Sequence, residues 1–179
     1  LRIAYLFDRP LPATETDSEQ AVKTVAALAR RGLQVRLIIP ASGSPTETAE
    51  IKRYYQVQGD FEILVLPNPL RAWSTGRKWW HAWSAISSPA LQDVDLVYTR
   101  NFPTLLLAAR ANKPFAYETY RNWMDQFPVL RAPFRRIMAH RLFLGAILHS
   151  HFARERYRAL GVAVERLEVA HNGYDPEQF

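Results

Sequence analysis

The sequence predicts a doubly wound α/β sandwich, Rossmann-like, with a mainly parallel sheet of about seven strands. Three observations carry that expectation. Short apolar runs alternate with longer amphipathic stretches along all 179 residues. The first strand, helix and strand fit within about 40 residues, the length of a βαβ unit with a right-handed crossover. No linker, low-complexity tract or internal repeat divides the chain, and nearly half its side chains are apolar, enough for one substantial core.

Arg2 to Phe7 reads as a short buried strand, which Asp8-Arg9-Pro10-Leu11-Pro12 breaks into a loop. In the helix that follows, Ala21, Val22, Val25, Ala26 and Ala29 share one face. Asp17 or Ser18 is placed to cap its start, and Gly32 to end it after Arg30-Arg31. Val35 to Ile39 is the second strand. A helix from about Thr46 to Val57, a strand from Phe61 to Leu66 and a helical stretch from Leu70 to Ile86 repeat the pattern. Asp95 to Thr99 is the fourth strand, Thr104 to Ala111 a helix and Phe115 to Glu118 a fifth strand. Pro133 to Leu144 is then a helix with Pro in its first turn. Ala146 to Ser150 is a strand, Phe152 to Leu160 a helix ended by Gly161, and Glu165 to Ala170 the last strand.

The composition narrows the classes of function. No apolar run reaches the roughly 18 to 20 residues of a membrane span, and the opening residues are too short for a signal peptide. With no cysteine there is no disulfide, CxxC metal site or thiol nucleophile. The expected setting is cytoplasmic, peripheral at most to the inner face of a membrane. A net charge of +6 fits an anionic partner, and it is concentrated: eight arginines between Arg121 and Arg158 face only Asp125 and Glu155.

In open α/β sheets the ligand lies beyond the C-terminal ends of the strands, so the strand-to-helix loops carry the functional signal. The seven glycines are too widely spaced for GxGxxG, a Walker A loop or a GxSxG elbow. A dinucleotide dehydrogenase, a P-loop nucleotidase and an α/β-hydrolase are thereby disfavoured. The five histidines form no HExxH, and no metal site is expected.

The chain closes on Ala170-His171-Asn172-Gly173-Tyr174-Asp175-Pro176-Glu177-Gln178-Phe179. Asn-Gly favours a tight turn, and an ordinary hairpin turn is one reading of it. The segment also resembles the NG-x-D-x-x-x-F signature that closes the N-terminal domain of family 4 glycosyltransferases, which have the GT-B fold. Ile147-Leu148-His149-Ser150 with the helix to Gly161-Val162, Asp95-Leu96-Val97-Tyr98-Thr99-Arg100, and Ala29-Arg30-Arg31-Gly32-Leu33-Gln34-Val35 are similar to elements of that family, in the same order. There are departures. Ala13-Thr14-Glu15-Thr16-Asp17-Ser18-Glu19 stands where many members have a Gly-Gly pair. Glu118-Thr119-Tyr120 stands where the family often has an acid and then a His.

The resemblance implies retaining transfer from a nucleotide-sugar donor to a sugar or lipid-linked acceptor, without a metal or other cofactor. It implies that residues 1–170 are the acceptor-side domain and 171–179 the start of a linker to a donor-binding half outside this sequence. These residues alone are therefore expected to be inactive. Asp17, Ser18, Arg100, Asn101, Glu118 and Tyr120 are the candidate cleft residues, with capping or salt bridging as the competing role of each. Asn172, Gly173 and Asp175 are candidate hinge and turn residues, and no catalytic residue is assigned.

On a helical wheel Trp73, Trp79, Trp80 and Trp83 fall on one side, and Arg71, Arg77, Lys78 and His81 on the other. Two readings stay open: an aromatic stripe facing the core, or an interfacial helix on anionic lipid. In the second, Arg135 and Arg136 could join the surface. Two rival functions remain. A basic nucleic-acid-binding module would suit the aromatics and charge but fits no RRM, KH or OB pattern. The N-terminal half of a GT-B sugar epimerase would share this sequence pattern.

Overall fold

The structure is a computed structural model, and it describes residues 1–42, 47–70, 74–120 and 123–171, with Trp123 and Gln126 through their backbone only. The apolar runs form strands β1 (Arg2–Leu6), β2 (Gln34–Pro40), β3 (Glu62–Leu66), β4 (Leu96–Thr99), β5 (Phe115–Thr119), β6 (Phe143–Leu148) and β7 (Leu167–Val169). They make one sheet in the order β3-β2-β1-β4-β5-β6-β7, with every neighbouring pair parallel. The connecting helices are α1 (Thr16–Arg30), α2 (Thr48–Tyr54), α3 (Ser74–Ile86), α4 (Phe102–Arg110), α5 (Trp123–Gln126), α6 (Arg131–Met138) and α7 (His151–Ala159).

Because strand side chains alternate, β1 and β2 feed two cores. Ile3, Tyr5, Val35 and Leu37 pack with Ala21, Val22 and Val25 of α1 and Ile51 of α2. On the other face Ala4, Leu6 and Ile38 join Ala85 of α3, Leu105 and Ala108 of α4, Phe134 and Ile137 of α6 and Tyr157 of α7. Glycine is required locally. Gly32 and Gly161 end α1 and α7 with φ of +79° and +84°, a region where a Cβ is strained. At Gly145 a Cβ would sit 2.9 Å from the Arg166 carbonyl oxygen, so β6 can approach the turn before β7 only without a side chain.

Four expectations need correction. The residue at the N-cap of α1 is Glu15, with no side-chain capping bond, and Asp17 and Ser18 lie inside the first turn. The helix expected to reach Leu144 stops at Met138, because Phe143 to Leu148 pair with β5 as a strand. The last strand is shorter than expected because Val164–Arg166 form a 3₁₀ turn. Finally, the tryptophans of α3 do not face the core. Its buried side is His81, Ala82 and Ala85, while Trp79, Trp80 and Trp83 are turned outward. Small residues let α3 lie close against α4 and the sheet, and bulky indoles on that side would hold it away. Arg71, Trp73, Asn172, Gly173 and Asp175 lie outside the described residues.

Candidate functional site

Strand order reverses between β1 and β4, so the crossovers run outward on either side and leave a crevice beyond the C-terminal ends of those strands. A cleft of about 500 Å³ occupies that place. Phe7, Asp8 and Arg9 after β1, Arg100 and Asn101 after β4, Thr119 at the end of β5 and Tyr120 after it form its floor. Asp17 of α1 closes one side. Trp79 of α3, Phe102 of α4, Phe134 of α6 and Phe127, just before the turn that leads into α6, give the opposite wall an aromatic lining. The cleft is thus polar at the strand ends and apolar toward the helices.

Glu118, at the end of β5, is the centre of the polar side. It is buried, yet every direction of its carboxylate is used. Arg100 donates to Oε1 from Nη2, and His149 Nε2 lies 3.1 Å from the same oxygen. Tyr5 donates to Oε2 at 3.2 Å. Burial pushes the Glu118 carboxyl up, but the hydrogen bond from His149 and the Arg100 charge outweigh it and hold the pKa at about 2. Glu118 is therefore a carboxylate at neutral pH. Burial lowers the Arg100 guanidinium, but the Glu118 charge and hydrogen bond oppose it, and its net shift is upward. Burial and then the Glu118 charge raise the Tyr5 hydroxyl far above its ordinary value, keeping it a neutral donor. Arg100 also donates from Nη1 to the Asp17 carbonyl and the Gln20 side chain, both at 3.3 Å, which ties the β4 loop to α1.

The first loop is held from both ends. Arg9 bridges Glu15 at 3.1 Å and Asp17 at 3.2 Å, and the Tyr55 hydroxyl bonds both backbone groups of Ala13. Lys78 of α3 reaches Asp8 at 2.9 Å. Asn101 lines the cleft and also caps α4, its Oδ1 accepting from the Thr104 amide at 2.9 Å. Thr99 beneath it donates to the Leu6 carbonyl, joining β4 to β1 at the switch point.

Of the six candidate cleft residues, Asp17, Arg100, Asn101, Glu118 and Tyr120 meet around one cavity. Ser18 is a correction: it is buried inside α1 and does not line the cleft, because α1 begins two residues earlier. His149, Tyr5 and Asp8 were not among the candidates, and Lys78 was one only for the membrane or acceptor surface. His149 supplies an imidazole to Glu118 from the neighbouring strand end, where the sequence shows no His two places after the acid. Register could have located it, since β5 and β6 pair Glu118 with Ile147, but register is not legible in a single sequence.

A parallel sheet of this order with a charged cleft at its switch point defines a Rossmann-like ligand-binding domain. The model of Glycosyltransferase Family 4 matches residues 19–178, and the chain belongs to that family. No curated protein matches it significantly. Solved structures share the fold. Anabaena HepE, in complex with UDP and glucose, superposes with a TM-score of 0.62 at 17% identity, over 97% of this chain and 45% of its own. The lipopolysaccharide outer core galactosyltransferase WaaB gives 0.59 at 12%, over 98% and 46%. A Listeria monocytogenes protein assigned as a UDP-N-acetylglucosamine 2-epimerase gives 0.61 at 14%, over 93% and 43%. The chain spans a little under half the length of these proteins, and its fold is that of one half of a GT-B glycosyltransferase.

Proposed function

We propose that this chain is the N-terminal, acceptor-side half of a nucleotide-sugar-dependent glycosyltransferase that transfers with retention of configuration and without a metal. Residues 1–170 are then the folded half and 171–179 lead to a donor-binding half. The observation that carries the reading is the switch-point cleft, in which the Arg100–Glu118 pair stands opposite an aromatic wall. Such a cleft suits an acceptor with a hydroxylated head and an apolar remainder. Its polar floor orients the hydroxyl, and its role is proximity rather than covalent chemistry. Retention and metal independence rest on family resemblance. HepE is seen with UDP and glucose, which supports a nucleotide-sugar donor.

A second reading, the same half of a GT-B sugar epimerase, is favoured by the likeness to the Listeria protein. The two separate in one assay. The full-length enzyme is incubated with radiolabelled nucleotide sugars and a mixture of saccharides and membrane lipids. Label joined to an acceptor with the donor's anomeric configuration supports the proposal. Release of an epimerised sugar with no labelled acceptor supports the rival, and an inverted product overturns retention.

A further inference from the structure

α3, α4 and α6 lie side by side on one face of the sheet, and together they carry Arg77, Lys78, Arg110, Arg131, Arg135 and Arg136 but no Asp or Glu. Lys78 and Arg131 have acidic partners in Asp8 and Asp125. Arg110, Arg135 and Arg136 are exposed and form no ion pair among the described residues. Between these charges the face is apolar. Trp80 and Trp83 stand out from α3 with ring centroids 5.2 Å apart, Trp83 being 53% exposed. Leu106, Ala109, Pro133 and Ile137 line a groove between α4 and α6.

We infer that this three-helix face docks on an anionic lipid surface and that the cleft takes its acceptor from that surface. Two features select lipid. Indoles interleaved with unpaired arginines match the headgroup layer, where an aromatic body is half buried and the cation meets phosphate. The face is also continuous with the cleft: the second turn of α3, the first turn of α4 and the start of α6 supply Trp79, Phe102 and Phe134 to its wall. A lipid-anchored hydroxyl could therefore enter at the rim while its chain stays in the bilayer. No described helix is long and apolar enough to cross a membrane. A nucleic acid is less well matched, because Trp80 and Trp83 pack tilted at 55° against each other rather than offering parallel faces for bases.

The test is co-sedimentation of the chain with vesicles of phosphatidylglycerol and phosphatidylcholine, against phosphatidylcholine alone, at low salt, with tryptophan emission read in parallel. Binding to the anionic vesicles with a blue-shifted emission is expected. Trp80→Ala with Trp83→Ala, and separately Arg135→Glu with Arg136→Glu, should each weaken it by about tenfold or more. Arg30→Glu with Arg53→Glu, on the α1–α2 side, should leave it unchanged. Absence of binding overturns the inference, as does equal weakening by the control pair. Binding of random oligonucleotides through the same arginines without vesicle binding assigns the face to nucleic acid and also overturns it. Delivery of the acceptor rests on the transferase reading, but vesicle binding involves no transfer step, so the two can fail separately.

Discussion

The two helical layers that sandwich the sheet differ in surface and in attachment. α1 and α2 mix Asp17, Glu19 and Glu50 with Lys23, Arg30, Lys52 and Arg53. Such interspersed charge suits a surface whose neighbour is water. In the other layer α3, α4 and α6 show one sign of charge and exposed indoles, while α7 beside them carries Glu155 among its arginines. The first layer is tied to the strand ends by polar bonds from Arg100, itself held by Glu118. The second also has a polar tie, Lys78 to Asp8 in the loop after β1, and it buries one imidazole, His81, among apolar packing. The two faces of one sheet thus differ in charge pattern and in exposed aromatic surface.

The largest effect is expected where the first layer is anchored. Glu118→Ala leaves the Arg100 cation buried beside Tyr5 and Tyr98 without a counter-charge, and should cost about 3 to 5 kcal/mol in denaturant unfolding. A loss under about 1 kcal/mol would show that the network does not anchor α1.

The second layer is expected to be the more acid-sensitive at mild pH. Burial lowers the His81 pKa from 6.5 to about 4, against the opposing Asp8 charge. Since the folded pKa is depressed, stability is complete above pH 6.5 and falls as pH drops toward about 4. The loss should approach roughly 3 kcal/mol and vanish in His81→Phe. Glu118 adds a separate loss at lower pH, as its carboxyl is protonated between its ordinary value of 4.5 and about 2. A flat wild-type profile between pH 6.5 and 4 would contradict the assignment to His81.

Smaller effects follow at the cleft and the outer face. Asn101→Ala removes the cap of α4 and should cost about 1 kcal/mol. Trp83→Ala should change stability by less than about 0.5 kcal/mol, since its indole is outward. A larger loss there would mean that the indole holds the layer together, which would narrow the difference between the two faces.

Much of this was legible in the sequence. Each strand was located to within a few residues, because apolar runs bounded by Gly, Pro and polar residues leave little choice of period. The sheet rule pointed to the strand-to-helix loops in general, and the family resemblance singled out candidates after β1, β4 and β5. What failed depended on partners distant in sequence. A helical wheel groups Trp79, Trp80 and Trp83, but it cannot say which side meets α4. There, close approach favours Ala82 and Ala85, and His81 follows them inside. His149 and Tyr5 reach Glu118 from β6 and β1, and only the strand order brings those ends together. Ser18 was misplaced because α1 begins without a side-chain cap, so the cap rule had no residue to find.

The most direct measurement concerns the cleft. Sugar transfer by the full-length enzyme is compared with that of Glu118→Gln, which keeps the shape and removes the charge, and of Tyr120→Ala, whose half-exposed ring lies at the rim. If this cleft orients the acceptor, transfer per folded molecule falls by about a hundredfold in Glu118→Gln, which also loses stability because Arg100 keeps no counter-charge, and by less in Tyr120→Ala. Undiminished transfer by both folded variants, or measurable transfer by these 179 residues alone, would contradict it.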